Sequence, residues 1–170
     1  MARYRILTSR SRVWIEARSN VHPIHTEAQG LEGWLELDVT DDLAGVGDAP
    51  SGRVQFAVDN LKSGNVLEDR EMKRRIDSRR YPTIIGEMRA MKPGDEPGHF
   101  FVRGDLTFRG ATRTYEDEMV LDMVGERTVS LGGQSTFDIR DFGLEPPRIL
   151  MLKVFPDVTV RIEIVAEQEA

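Results

Sequence analysis

Apolar and polar residues alternate with a period of two along most of this 170-residue chain, and that pattern admits little besides half-buried strands. Val13, Ile15 and Ala17 alternate with Trp14, Glu16 and Arg18. Leu35, Leu37 and Val39 alternate with Trp34, Glu36 and Asp38, and Val54, Phe56 and Val58 with Arg53, Gln55 and Ala57. The pattern returns at Val102, Leu106 and Phe108, at Tyr115, Met119 and Leu121, and at Val158, Val160, Ile162 and Ile164. Adding residues 4–8, 83–91 and 128–137 gives about nine strand candidates. One polar face on nearly every strand points to an antiparallel sheet wet on one side. A sheet of this many strands removes its vulnerable edges by closing, so the expected fold is all-β, an antiparallel β-barrel.

One segment breaks the period. Residues 65–79 are expected to form an α-helix capped by Asn65, with Glu68 completing a capping box. Asp69–Lys73 and Glu71–Arg75 stand at the favourable i,i+4 spacing, and Met72 and Ile76 share one face. The helix should stop before Tyr81-Pro82, since proline pushes its predecessor out of helical geometry. Turn formers concentrate in residues 40–52 and 92–98, neither of which reads as a domain linker. Residues 1–170 are therefore expected to form a single domain.

Composition removes several function classes. No stretch approaches the ~20 apolar residues of a membrane-crossing helix. The opening Met1-Ala-Arg-Tyr-Arg-Ile-Leu lacks the apolar core of a secretory leader, so the expected location is cytoplasmic. The chain has no cysteine, which leaves no disulfide framework, thiolate metal site or cysteine nucleophile. A net charge of −6 argues against nucleic acid as a partner.

Four stretches, in order, resemble landmarks of one known family. Ser11-Arg-Val-Trp-Ile-Glu-Ala-Arg-Ser-Asn-Val-His-Pro-Ile-His25 is similar to its opening strand. Asp69-Arg70 and the following helix run into Arg80-Tyr-Pro-Thr-Ile84, which matches an "RD…(Y/F)P.I" pattern. Arg103-Gly-Asp-Leu-Thr-Phe-Arg-Gly-Ala-Thr-Arg113 resembles the "GDLTxxGxTxxV" hairpin. Phe137-Asp-Ile-Arg-Asp-Phe-Gly-Leu144 resembles the closing "R.DFG(I/L)" turn. Together the four resemble the YceI-like family, and the resemblance implies a lipocalin-like barrel that holds a long apolar ligand of isoprenoid or fatty-acid type. Binding, storage or transport without catalysis is the function it implies. The inward face of the strands then becomes the site: Val13, Ile15, Leu35, Leu37, Val54, Phe56, Val58, Ile84, Met88, Leu106, Phe108, Met119, Val160 and Ile162. Met72 and Ile76 of the helix are expected to close one side.

No residue set looks catalytic. His22-x-x-His25 is the one candidate metal spacing, but Pro23 intervenes and no third ligand is fixed, so no metal or cofactor is expected. There is no Gly-x-Ser-x-Gly elbow. Asp117 falls in an otherwise apolar phase and, if buried, needs a partner. Asp105 is expected to face solvent. The expected partners are a long-chain isoprenoid or other lipid, a membrane met transiently through Lys73-Arg74-Arg75 and Arg79-Arg80, and a second copy of the chain as a homodimer. Two rival readings remain: a stress-response structural or interaction protein with a filled core, and a small-molecule enzyme using His22, His25 or Asp117.

Overall fold

The computed structural model describes residues 1–149 and 151–170. Its strands are β1 (Ala2–Ile6), β2 (Arg12–Ser19), β3 (Ile24–Ala28), β4 (Glu32–Leu37), β5 (Ser51–Ala57), β6 (Thr83–Pro93), β7 (His99–Phe108), β8 (Ala111–Met123), β9 (Thr128–Asp138), β10 (Arg148–Ile149) and β11 (Leu152–Gln168), with one α-helix, α1 (Val66–Ile76). The antiparallel order β1-β4-β5-β6-β7-β8-β9-β11 returns to β1, closing an eight-strand, lipocalin-like barrel. Strand β3 escaped the alternation count because five residues carrying His25 and Glu27 show only a short apolar phase.

Closure depends on β11, which serves two partners along one edge. Its end pairs with β1, from Tyr4↔Gln168 to Ile6↔Ala166, and its earlier residues pair with β2 up to Ile162↔Val13 and Glu163↔Arg12. At the handover Ser11 is buried, 2% exposed. Its Oγ accepts from the Val165 N–H at 2.9 Å and donates to the Val165 carbonyl at 3.2 Å. One hydroxyl thus replaces the backbone ladder where the strand breaks. Ser11→Ala is expected to leave the Val165 amide unpaired and to cost about 1–3 kcal/mol in denaturant unfolding.

Two bulges reset the alternation. Between Met88 and Ala90 the register slips, so Met91, rather than Ala90, is buried on the inside. Between Val154 and Val158 a second slip accommodates Pro156, which has no N–H to give a ladder. The β7–β8 hairpin turns on Arg109 and Gly110, both at positive φ (54° and 74°), as a two-residue turn of matching twist requires. At Gly110 a Cβ would stand 2.8 Å from the Tyr81 ring.

Asn65 caps α1 as expected: its Oδ1 accepts from the N–H groups of Leu67 and Glu68 at 3.0 and 3.1 Å. The reciprocal half of the box comes from Ser63, whose Oγ accepts from the Asn65 N–H at 3.2 Å. Asp69 turns to Ser63 as well, taking its Oγ–H at 2.6 Å and its N–H at 2.9 Å, and not to Lys73. The helix ends at Ile76 because Asp77 adopts the left-handed conformation, φ 62°. That is three residues short of the expected 79, and residues 77–80 form turns. Glu71 accepts from Arg74 at 2.6 Å and from Arg75 at 2.9 Å, which holds its carboxyl down at about 2. Asn65→Ala is expected to cost about 1 kcal/mol, read as a lower denaturation midpoint at unchanged slope.

The barrel has a filled end and a hollow end. Phe100, Leu121, Val129, Leu37 and Val46 are all 2% exposed or less. The 40–50 loop closes this base: Asp38 N–H donates to the Val46 carbonyl and Gly98 N–H to the Leu43 carbonyl, each at 2.8 Å. At the opposite end, α1, the β7–β8 turn and the 3-10 turn Ile139–Phe142 gather around the opening, with Phe108 and Phe142 edge to face at 5.5 Å. On one flank the wall is not continuous sheet. Strand β3 meets the segment after β5 only through the Glu27–Lys62 bridge, and Met72 and Ile76 of α1 reach the interior on that side.

Candidate ligand-binding cavity

Alternation brings one face of every barrel strand inward, and above the base these faces do not meet. They enclose a cavity of about 400 Å³. Val13, Ile15, Leu35, Val54, Phe56, Ile84, Met88, Leu106, Phe108, Met119, Val160 and Ile162 line it, and Met72 and Ile76 complete it from α1. Two expected wall residues do not. Leu37 is fully buried in the base, and Val58 lies in the 3-10 turn that follows β5, fully buried in the packed core. For both, the alternation continues past the point where the wall ends.

The wall also holds residues that sequence reasoning missed. Val102, Leu131, Phe137, Val158 and Ile164 line the cavity, and all fall in the inward phase of their strands. More consequential are Gly52, Gly86, Gly104 and Gly133 in the same phase. Gly52 pairs with Met88 and Met88 with Gly104, so an absent side chain flanks a long one on each side. A Cβ at Gly104 would stand 2.8 Å from the Glu87 carbonyl oxygen, and one at Gly133 would stand 2.9 Å from Met119 Cγ. These glycines thin the wall where bulk would fill the interior. The available signal was their position in the alternation, which turn-based readings of glycine overlook.

Polar groups inside are few. Asp117 is turned inward, between Val102 on β7 and the β9 wall, and its Oδ1 accepts from Ser135 Oγ at 3.0 Å. Ser135 pairs with Val160, Val160 with Ile15 and Ile15 with Thr26. Asp117 therefore sits in a ring of mostly apolar side chains at mid-height. One inward position nearer the opening, Tyr115 packs edge to face on Phe137 at 4.6 Å. Its hydroxyl is buried with no partner in hydrogen-bonding geometry. Burial, and then the Asp141 carboxylate acting through space, push its pKa above the usual phenol value.

The other singled-out groups lie elsewhere. Asp105 is on the outer face, accepting from Thr114 Oγ1 at 2.7 Å and Arg89 Nε at 2.9 Å. Those bonds, Thr114 first, hold its carboxyl below the usual range, and the strand separates it from Asp117. His22 contacts its neighbour Pro23 through Nδ1, and His25 faces outward to Glu16 at 3.6 Å. The structure brings neither histidine to the cavity. Among the described residues no three metal-ligating side chains converge, and no helix is long and apolar enough to cross a membrane.

Comparison with known proteins agrees with this architecture. No curated protein sequence matches the chain. The fold is shared with Burkholderia cenocepacia BcnA at a TM-score of 0.78 and 15% identity, covering 94% of this chain and 98% of that one. A polyisoprenoid binding domain from Saccharophagus degradans, implicated in plant cell wall breakdown, superposes at 0.76 with 10% identity over 99% and 100% of the two chains. The Campylobacter jejuni YCEI protein does so at 0.67 with 13% identity over 85% and 84%. The model of the YceI-like domain matches residues 4–166, so it spans the barrel from within β1 to within β11, and the chain belongs to the YceI-like family.

Proposed function

We propose that this protein binds a long-chain, mostly apolar molecule inside the barrel and stores or carries it without transforming it. The observation that carries this reading is the cavity itself: about 400 Å³ walled almost wholly by aliphatic, aromatic and methionine side chains. The fold shared with a polyisoprenoid binding domain supports it. A water takes up about 30 Å³ and a methylene is of similar size, so the space suits on the order of a dozen chain carbons. At about 0.8 kcal/mol per buried methylene the gross gain approaches 10 kcal/mol, part of which offsets the cost of immobilising the chain. Met72, Met88 and Met119 in the wall adapt to a branched or a straight chain. Neither His22 nor His25 lines the cavity that Asp117 faces, so the reading includes no catalysis. Loading from a membrane would use the α1 side, where Val66 and Leu67 are exposed beside Arg70 and Arg74.

The test is a chain-length series. Displacement of a fluorescent apolar probe by prenyl alcohols of increasing length is expected to improve steeply up to about three isoprene units and then level off. Absence of displacement at every length contradicts the proposed function.

A further inference from the structure

The proposed cavity is apolar almost throughout, and one feature of it is not explained by hydrocarbon. Asp117 places a carboxylate at mid-height in the wall with one hydrogen bond, from Ser135 at 3.0 Å to Oδ1. Its Oδ2 has no hydrogen-bond partner among the described residues. Among the described residues no basic side chain answers it inside. Arg53 contributes to the wall, but its guanidinium donates to Gln55 Oε1 at 3.4 Å on the outer face. At the opening, Arg109 and Arg113 donate to the carbonyls of Gly143 and Thr112, and Arg109 Nε is buried there without a partner, outside the cavity wall. The other acids of the wall lie on the α1 side, Glu68 and Asp69, or turn outward, Glu87 and Asp105.

We propose that the cavity selects a ligand whose polar end is a non-anionic hydrogen-bond donor, such as a long-chain alcohol, and that Asp117 is the group that receives it. A hydrocarbon chain running past Asp117 would take water from the carboxylate and return nothing, which is costly. A hydroxyl at the same height donates to the free Oδ2 and restores a charge-assisted bond. A carboxylate or phosphate head meets like charge instead, with no cation in the interior to offset it. The head is therefore drawn into the barrel rather than left at the opening. This inference rests on the binding function proposed above.

Four molecules with one tail separate the two claims: tetradecanol, tetradecylamine, tetradecanoate and tetradecyl phosphate, each displacing a fluorescent apolar probe at pH 7. Tetradecanol and tetradecylamine are expected to bind about tenfold or more tighter than the two anions. In Asp117→Asn, which keeps the shape and removes the charge, the gap between tetradecanol and the anions is expected to shrink to about threefold or less. Equal binding of all four by the wild-type protein, or tighter binding of either anion, overturns the head-group inference while leaving the cavity function standing. Displacement by none overturns both. Where thermal melting shows that Asp117→Asn is poorly folded, the wild-type series still overturns the inference if either anion binds as tightly as tetradecanol.

Discussion

Phe100→Ala is expected to cost about 3–5 kcal/mol, the range for emptying an aromatic site in a packed core. For a chain of this size that lowers the melting temperature by roughly 6–20 °C. Phe100 is fully buried at the base, where loop and strand ends leave no room for relaxation. Leu106 faces the cavity from the same strand, β7. Leu106→Ala removes a side chain that already borders empty space, so its cost should fall below the ~2 kcal/mol that begins the range for packed leucines. The contrast separates a hollow barrel from a filled one: equal losses at the two sites would mean that the interior is packed throughout. Paired urea titrations of the two variants measure it.

Val160→Trp is expected to abolish most ligand binding while leaving the barrel folded. Val160 projects into the cavity at the level of Asp117, between Ser135 and Ile15. An indole there takes the room of on the order of four methylenes, about 3 kcal/mol of burial, or roughly 200-fold in affinity. In a filled core the same change overpacks and destabilises by about 1–3 kcal/mol. In the cavity the bulk has somewhere to go, and thermal melting should shift by less than the equivalent of about 1 kcal/mol. Probe titration and melting of the one variant give both numbers. Unaltered affinity would place the ligand outside the barrel.

The fold was legible because period-two alternation survives on most barrel strands, and because Asn65, Tyr81-Pro82 and Arg109-Gly110 carry local chemistry that permits few conformations. The errors have equally local causes. The helix stops at Ile76 because Asp77 enters the left-handed region, which an aspartate does not announce. Alternation assigns a face but not a height, so Leu37 and Val58 share the phase of wall residues yet lie in packed regions. The bulge at Met88–Ala90 inverts the phase without a sequence signature. The cavity was the least legible feature, since hollow and filled barrels share the same inward pattern. What separates them here is the set of inward glycines, Gly52, Gly86, Gly104 and Gly133, and their meaning depends on which residues face them across the sheet. Asp117 stood out by its phase, whereas its partner Ser135 required the β8–β9 pairing to be found.

Native mass spectrometry of the wild-type protein, purified without detergent from lipid-containing cells and then challenged with tetradecanol, tests the central claim most directly. One apolar molecule per chain is the predicted result, either retained from the cells and removed by solvent extraction or taken up on challenge, and absent in Val160→Trp. A bare chain before and after the challenge would contradict the account.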